Sequence, residues 1–266
     1  MHSDISDWNV GSATTFKGMF ASSAFNRDIN DWDVSSATSF AGMFAFSSFD
    51  RDINDWDVSS AVTFESMFKQ SFFDRDINDW DVSSVTSFET MFEGNSVFNG
   101  VISEWDVSSA TNFGGMFAFA ASFQQRLCAW GNRMRNDAKV SSMFLSTFGT
   151  IIGCWDVSQV TDMSNIYSDA SSTCTDIDNS QFNNEIGCWN VSSVTSFESM
   201  FENNPVFNQD ISEWNVSAGT DFSKMFDNTE TFNIDLNDWD VSAGLKFNGM
   251  FSRSLLFDQD LCQWDE

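Results

Sequence analysis

The residues best suited to chemistry in this chain are carboxylates set beside tryptophans. Asp31 and Asp33 flank Trp32, Asp55 and Asp57 flank Trp56, and Asp79 and Asp81 flank Trp80. The pattern continues through Glu104 and Asp106, Glu213, and Asp238 and Asp240. On an extended segment a buried tryptophan turns both neighbours outward. Repeated copies stacked ~5 Å apart then line up two acidic columns. Neighbouring like charges there repel by roughly 1 kcal/mol in water, more at lower dielectric. Three responses are open: raised carboxyl pKa values, high external salt, or bound Ca2+. Asp31, Asp33, Asp55, Asp57, Asp79 and Asp81 form the most regular grid and are the candidate metal ligands, with Ca2+ the one cofactor to consider. The competing reading is a solvated acidic face.

Catalysis finds little support. The single histidine is His2, which leaves a serine or cysteine nucleophile without an imidazole base. Paired carboxylates suit glycoside hydrolysis, but a uniform ladder offers no site that separates an acid from a base. No glycine-rich phosphate loop is present. The chain therefore reads as a non-enzyme. Its five cysteines are an odd number. Cys154 and Cys188 each precede a tryptophan by one residue in consecutive copies, which stacking brings within disulfide range. Cys174 is an alternative partner for either, or for Cys128, and at least one thiol is left over.

The elements that position these groups come from a repeat. The eleven tryptophans are Trp8, Trp32, Trp56, Trp80, Trp105, Trp130, Trp155, Trp189, Trp214, Trp239 and Trp264, spaced 24 or 25 residues apart except for one interval of 34. A fixed period of this length marks a solenoid. Isoleucine or leucine stands three residues before the tryptophan, as Ile29, Ile53 and Ile77, and valine two after it, as Val34, Val58 and Val82. This I-x-x-W-x-V spacing predicts one parallel strand per coil. Phe88, Met91 and Phe92 then fall at i, i+3 and i+4, which predicts one short helical turn. Trp32, Trp56, Trp80 and Trp105 with Phe44, Phe68 and Phe92 are the expected core. Only Phe46, Phe72 and Phe119 of the 30 phenylalanines fall outside three repeating columns. Asn26, Asp50, Asp74, Asn99 and their equivalents follow the last phenylalanine of each coil. They are expected to satisfy backbone groups of neighbouring coils.

The fold expected is thus a leucine-rich-repeat-like, right-handed α/β solenoid of about eleven coils, a single domain over residues 1–266. Insertions fall at about 131–142, which carries Arg133, Arg135 and Lys139, and at 168–181. No terminal cap is recognisable, so the chain reads as a fragment of a longer one or as a unit that stacks end to end. A net charge of −27 excludes nucleic acid as a natural partner and disfavours anionic membranes. No apolar run is long enough for membrane insertion.

The repeat F-N-x-D-I-x-x-W-D-V-S-S-V-T-x-F-x-x-M-F, matched around Trp80 at every fixed position but the second, where Asp74 stands for Asn, resembles that of BspA-like leucine-rich-repeat surface proteins. These include a bacterial surface-protein repeat of about 25 residues and mycoplasma lipoproteins. The resemblance covers essentially the whole chain, although phenylalanine replaces methionine at Phe40, Phe64 and Phe88. It implies an extracellular or cell-surface protein of adhesive type, with no catalytic residues to carry over. The expected partner is a protein or glycan surface ligand, or a second copy by end-to-end stacking. A surface filament and an ice- or mineral-binding face are the alternatives. The second would use the threonines six residues after each tryptophan, such as Thr38, Thr86 and Thr111.

Overall fold

The computed structural model describes residues 5–125, 127, 129–130, 133–135, 137–145, 147, 157, 160–166, 183 and 186–265. Consecutive repeats lie one on the next. Parallel bridges link Thr15 to Ser39, Ser39 to Thr63, Thr63 to Ser87, Ser87 to Asn112 and Asn112 to Lys139, then Asp162 to Ser196, Ser196 to Asp221 and Asp221 to Lys246. Between those two runs, the amides of Ser142 and Phe144 donate to the carbonyls of Ser164 and Ile166. The bridges recur once per repeat, seven residues after the tryptophan except at Lys139, which stands nine after Trp130.

The expected strand and helical turn both differ from what forms. Among the described residues the bridges are isolated and no strand is defined, while the one named helix is a 3₁₀ turn at Cys262–Asp265. Around each tryptophan the chain turns instead of extending. Trp56 N–H donates to Ile53 O at 3.2 Å, and Ala61 N–H to Val58 O at 2.8 Å. The cause lies in the neighbouring acids. Asp52 Oδ1 takes the Asn54 amide and Asp57 Oδ1 the Ser59 amide, so side chains capture donors that a strand ladder would need.

The F-x-x-M-F segment fails to become helical for a related reason. The amides of Phe64, Ser66, Phe68 and Gln70 donate to Ser87, Glu89, Met91 and Glu93 of the next repeat. Those of Met67, Lys69 and Ser71 close local turns on Phe64, Ser66 and Phe68. Alternate amides thus serve the neighbour and the turn, and none reaches the i−4 carbonyl that a helix requires. Ser66 (φ 56°) and Gln70 (φ 47°) occupy the third position of two of these turns, the left-handed geometry of a type II turn. Gly42, Gly94 and Gly115 meet the same demand without strain, whereas Phe46 (φ 57°) and Phe119 (φ 58°) meet it as bulky residues.

The core is a bundle of aromatic columns. Trp80 and Trp105 stack 6.5 Å apart at an interplanar angle of 2°, and Trp214 and Trp239 6.5 Å apart at 6°. Phe44, Phe68 and Phe92 are fully buried and stacked in sequence, and each packs 4.0 Å or closer against the last phenylalanine of its own repeat. Each buried indole also solves its own polar problem. Trp32, Trp56, Trp80 and Trp105 donate Nε1–H to the carbonyls of Ile5, Ile29, Ile53 and Ile77, at 2.9–3.0 Å. Trp130, Trp214, Trp239 and Trp264 do the same to Ile102, Ile186, Ile211 and Leu236.

Replacing Trp80 by phenylalanine keeps the ring stack but leaves Ile53 O with one donor fewer. We expect a loss of about 1–3 kcal/mol by chemical denaturation, against about 3–5 kcal/mol for Trp80→Ala. A Trp80→Phe variant as stable as wild type would show that the indole bond contributes nothing. Phe46→Gly, which relieves a left-handed bulky residue at an exposed site, is expected to raise stability by up to about 1 kcal/mol.

Candidate functional site

The acidic columns are exposed, as the alternation around tryptophan predicts. Asp31, Asp33, Asp55, Asp57, Asp79 and Asp81 all face solvent while Trp32, Trp56 and Trp80 between them are buried. The structure does not gather these six into a ligand set, and among the described residues no group of three or more His, Cys, Asp or Glu is placed to hold a metal ion. The hydrogen bonds show how these carboxylates are engaged. The aspartate after each tryptophan is turned back onto its own chain. Asp33 Oδ1 accepts from Ser35 N at 3.1 Å and Ser35 Oγ at 2.6 Å. Asp57 and Asp81 bind Ser59 and Ser83 in the same way. The aspartate before the tryptophan is met from the preceding repeat, with Asn30 Nδ2 donating to Asp55 at 2.8 Å and Asn54 Nδ2 to Asp79 at 2.7 Å.

At Asp33, Asp106 and Asp240 such bonds favour the ionised form. The Ser35 hydroxyl and amide hold Asp33 below the usual carboxylate range, and Ser108 and Ser242 do so for Asp106 and Asp240. The direction is opposite to the one expected from mutual repulsion, because a local donor at hydrogen-bond distance outweighs solvent-screened charges farther off.

Beside this face runs a second column, after the last phenylalanine of each repeat. Asn26 Oδ1 accepts the Asp50 amide at 3.0 Å, Asp50 Oδ1 that of Asp74 at 3.2 Å, Asp74 Oδ1 that of Asn99 at 2.9 Å and Asn99 Oδ1 that of Gln124 at 3.0 Å. The same ladder runs from Asn183 through Asn208 and Asn233 to Asp258. It is the expected satisfaction of neighbouring coils, and it fixes the outer corner of every repeat. Arg75 grips Asp50 through Nε at 2.9 Å and Nη2 at 2.7 Å.

The asparagines two residues before each tryptophan were not singled out from sequence, yet Asn30 and Asn54 carry the inter-repeat bonds to the acids. Their signal was the constant Asn at that position of the first repeats. Two of the three positive charges of 131–142, Arg133 and Arg135, are engaged internally, while Lys139 takes part through its main chain. Arg133 donates to the carbonyls of Glu104 and Trp105, Arg135 pairs with Asp137, and Lys139 sits in the bridge ladder. Residues 168–181, Cys128, Cys154 and Cys174 lie outside the described residues, and the expected Cys154–Cys188 pairing falls there. The hydroxyls of Thr38, Thr86 and Thr111 donate to carbonyls of the preceding repeat at 3.2–3.3 Å, which leaves them poorly free to order water.

An exposed, repetitive, hydrogen-bonded surface of this kind defines a stacked-repeat protein. The model of one family, described as a Mycoplasma protein of unknown function, DUF285, matches residues 1–73, 67–180 and 178–266. The chain belongs to that family, in tandem copies. No curated protein and no solved structure matches it.

Adding millimolar CaCl₂ should shift the melting temperature no more than equal MgCl₂ does; a rise specific to Ca2+ would restore the metal reading. The pH dependence has a defined sign. A folded-state pKa below the unfolded value stabilises above about pH 4 and loses that contribution as pH falls through the folded pKa. The stability advantage of wild type over a triple Asp33→Asn, Asp106→Asn, Asp240→Asn variant should therefore shrink between pH 5 and about pH 2. An advantage that grows on acidification would contradict the assignment.

Proposed function

We propose that this chain is a non-enzymatic scaffold, extracellular or at the cell surface, that presents an acidic face for adhesion or recognition. The proposal treats the stacked repeats as one solenoid of about eleven coils over residues 1–266, of the BspA-like leucine-rich-repeat type. Its coil departs from that type in placing the ladder after the tryptophan corner. The observation that carries the reading is the pair of exposed carboxylate columns anchored by serine and asparagine donors. Such a surface keeps its charge over a wide pH range and attracts a cationic or hydroxyl-rich partner. Cys188 is a disulfide cysteine, which supports an oxidising location, and Cys154 is its proposed partner. The lone His2 and the uniform carboxylate ladder support the absence of catalysis.

The test separates this face from bulk charge. An Asp33→Asn, Asp57→Asn, Asp81→Asn variant should be retained on a polylysine surface at 150 mM salt several-fold more weakly than a Glu65→Gln, Glu89→Gln, Asp162→Asn control of equal net charge. Equal retention of the two would reduce the acidic columns to a solubility device.

A further inference from the structure

Two asparagines stand where the repeat otherwise carries acid. Asn190 and Asn215 directly follow Trp189 and Trp214, the place held by Asp33, Asp57, Asp81, Asp106 and Asp240 in other repeats. Each opens an N-V-S triplet, Asn190-Val191-Ser192 and Asn215-Val216-Ser217, and these are the two N-x-S/T triplets of the sequence. A hydroxyl residue two positions after an asparagine is what N-linked glycosylation requires. Val191 and Val216 are buried, while both asparagines are exposed.

The fold uses one half of the Asn215 carboxamide and leaves the other. Oδ1 accepts from Ser217 N at 3.1 Å and from Ser217 Oγ at 2.7 Å, the same bonds that Asp33 makes with Ser35. Nδ2 makes no hydrogen bond to any described residue and lies on an exposed side chain. Other asparagines spend Nδ2 on the neighbouring repeat: Asn30 on Asp55, Asn54 on Asp79, Asn95 on Phe73 O and Asn112 on Glu89. A sugar on any of those would crowd a bond between repeats. A sugar on Asn215 Nδ2 leaves the amide oxygen as acceptor, so the local turn and the core beneath it keep their form.

The surface also has room for the first ring. A groove of about 340 Å³ lies beside Asn215, lined by Ser212, Glu213, Trp214, Asn215, Asp235 and Asp238. Its exposed carboxylates suit the hydroxyl and acetamido N–H donors of a neutral sugar and oppose an acidic one. Asn190 sits one repeat away, about 5 Å along the stack, which is too close for a second glycan stem.

We propose that Asn215 is an N-glycosylation site, bearing an oligosaccharide whose first N-acetylhexosamine ring seats in this groove. The donor is a lipid-linked oligosaccharyl pyrophosphate. A bond forms between Nδ2 and the anomeric carbon, and the bond from that carbon to the phosphate oxygen breaks. The lipid pyrophosphate leaves with the electron pair, one Nδ2 proton passes to a base of the transferase, and nothing is oxidised or reduced. Such transfer takes place on the outer or lumenal side of a membrane, so the inference rests on the extracellular reading above. A glycan there covers the acidic columns around Trp214 and leaves those around Trp32, Trp56 and Trp80 open.

The test takes the protein from the cells that make it and treats it with peptide-N-glycosidase in water labelled with heavy oxygen. Mass spectrometry should find Asn215 converted to labelled aspartate and Asn190 intact. Recovery of Asn215 as asparagine, or conversion of Asn190 in its place, overturns the inference. In the same cells Asn215→Gln and Ser217→Ala should each abolish the glycosidase-sensitive gel shift. Ser217→Thr, which keeps the hydroxyl, should retain it, and Asn190→Gln should leave it unchanged. A shift that survives Asn215→Gln overturns the assignment. Labelling intact cells with a membrane-impermeant amine reagent keeps the two claims apart. If the protein is labelled while Asn215 is bare, only the glycosylation site falls; if it is neither labelled nor modified, the extracellular reading falls with it.

Discussion

The bond from each indole N–H to the isoleucine carbonyl of the preceding repeat is the constraint on which the rest of this structure depends. That carbonyl already closes a turn onto the tryptophan of its own repeat, so both its lone pairs are filled: Ile53 O receives Trp56 N and Trp80 Nε1. One residue thereby sets the turn and the vertical register together. A tryptophan shifted by one position would lose its acceptor and leave a buried N–H unpaired, at a cost of about 1–3 kcal/mol each. The same error would bring the flanking aspartates inside, which is costlier still. Register errors are thus penalised once per repeat, and the cooperativity of a nearest-neighbour stack multiplies the penalty.

With register fixed there, the backbone elsewhere can do without regular secondary structure. Each repeat sends amides from alternate residues of the F-x-x-M-F segment to its neighbour and closes turns with the others, while the Asn/Asp ladder supplies the third corner. Main-chain groups of the described repeats are paired in this way, which serves the condition a compact fold must meet. The left-handed residues that this alternation requires are strain accepted for it. Ser66, Gln70 and Thr90 show that non-glycine residues tolerate the position when ladder bonds over-determine it.

How much of this was legible beforehand follows from what a pattern encodes. The tryptophan spacing and the phenylalanine columns place the core, because burial repeats with the period. The Asn and Asp column after Phe49 and Phe73 reads as a ladder, because a short polar side chain at a bend has few alternative partners. The strand and the helical turn were misplaced, since hydrophobic spacing reports which residues face inward and not which amides are available. Asp52 and Asp57 take the decisive amides; the acids four residues before the tryptophan, Asp52 among them, read as turn-capping, whereas the D-x-S pair at Asp57 was read only as charge. The same step was missed at the acidic columns: an aspartate two residues before a serine finds a donor locally. Phe72 was noted only as a phenylalanine outside the columns, since its exposure is a property of packing.

The distribution of donors also explains how so acidic a molecule remains folded. Repulsion along a column of exposed carboxylates is screened by water and salt over about 8–10 Å, whereas each serine or asparagine donor acts at under 3 Å. The near interaction recurs from repeat to repeat, so much of the charge is tolerated through local donors, with ion pairs such as Arg75–Asp50 and Arg133–Glu104 adding to them. A carboxylate anchored by hydrogen bonds in this way stays exposed at the surface, where its charge is available to a partner.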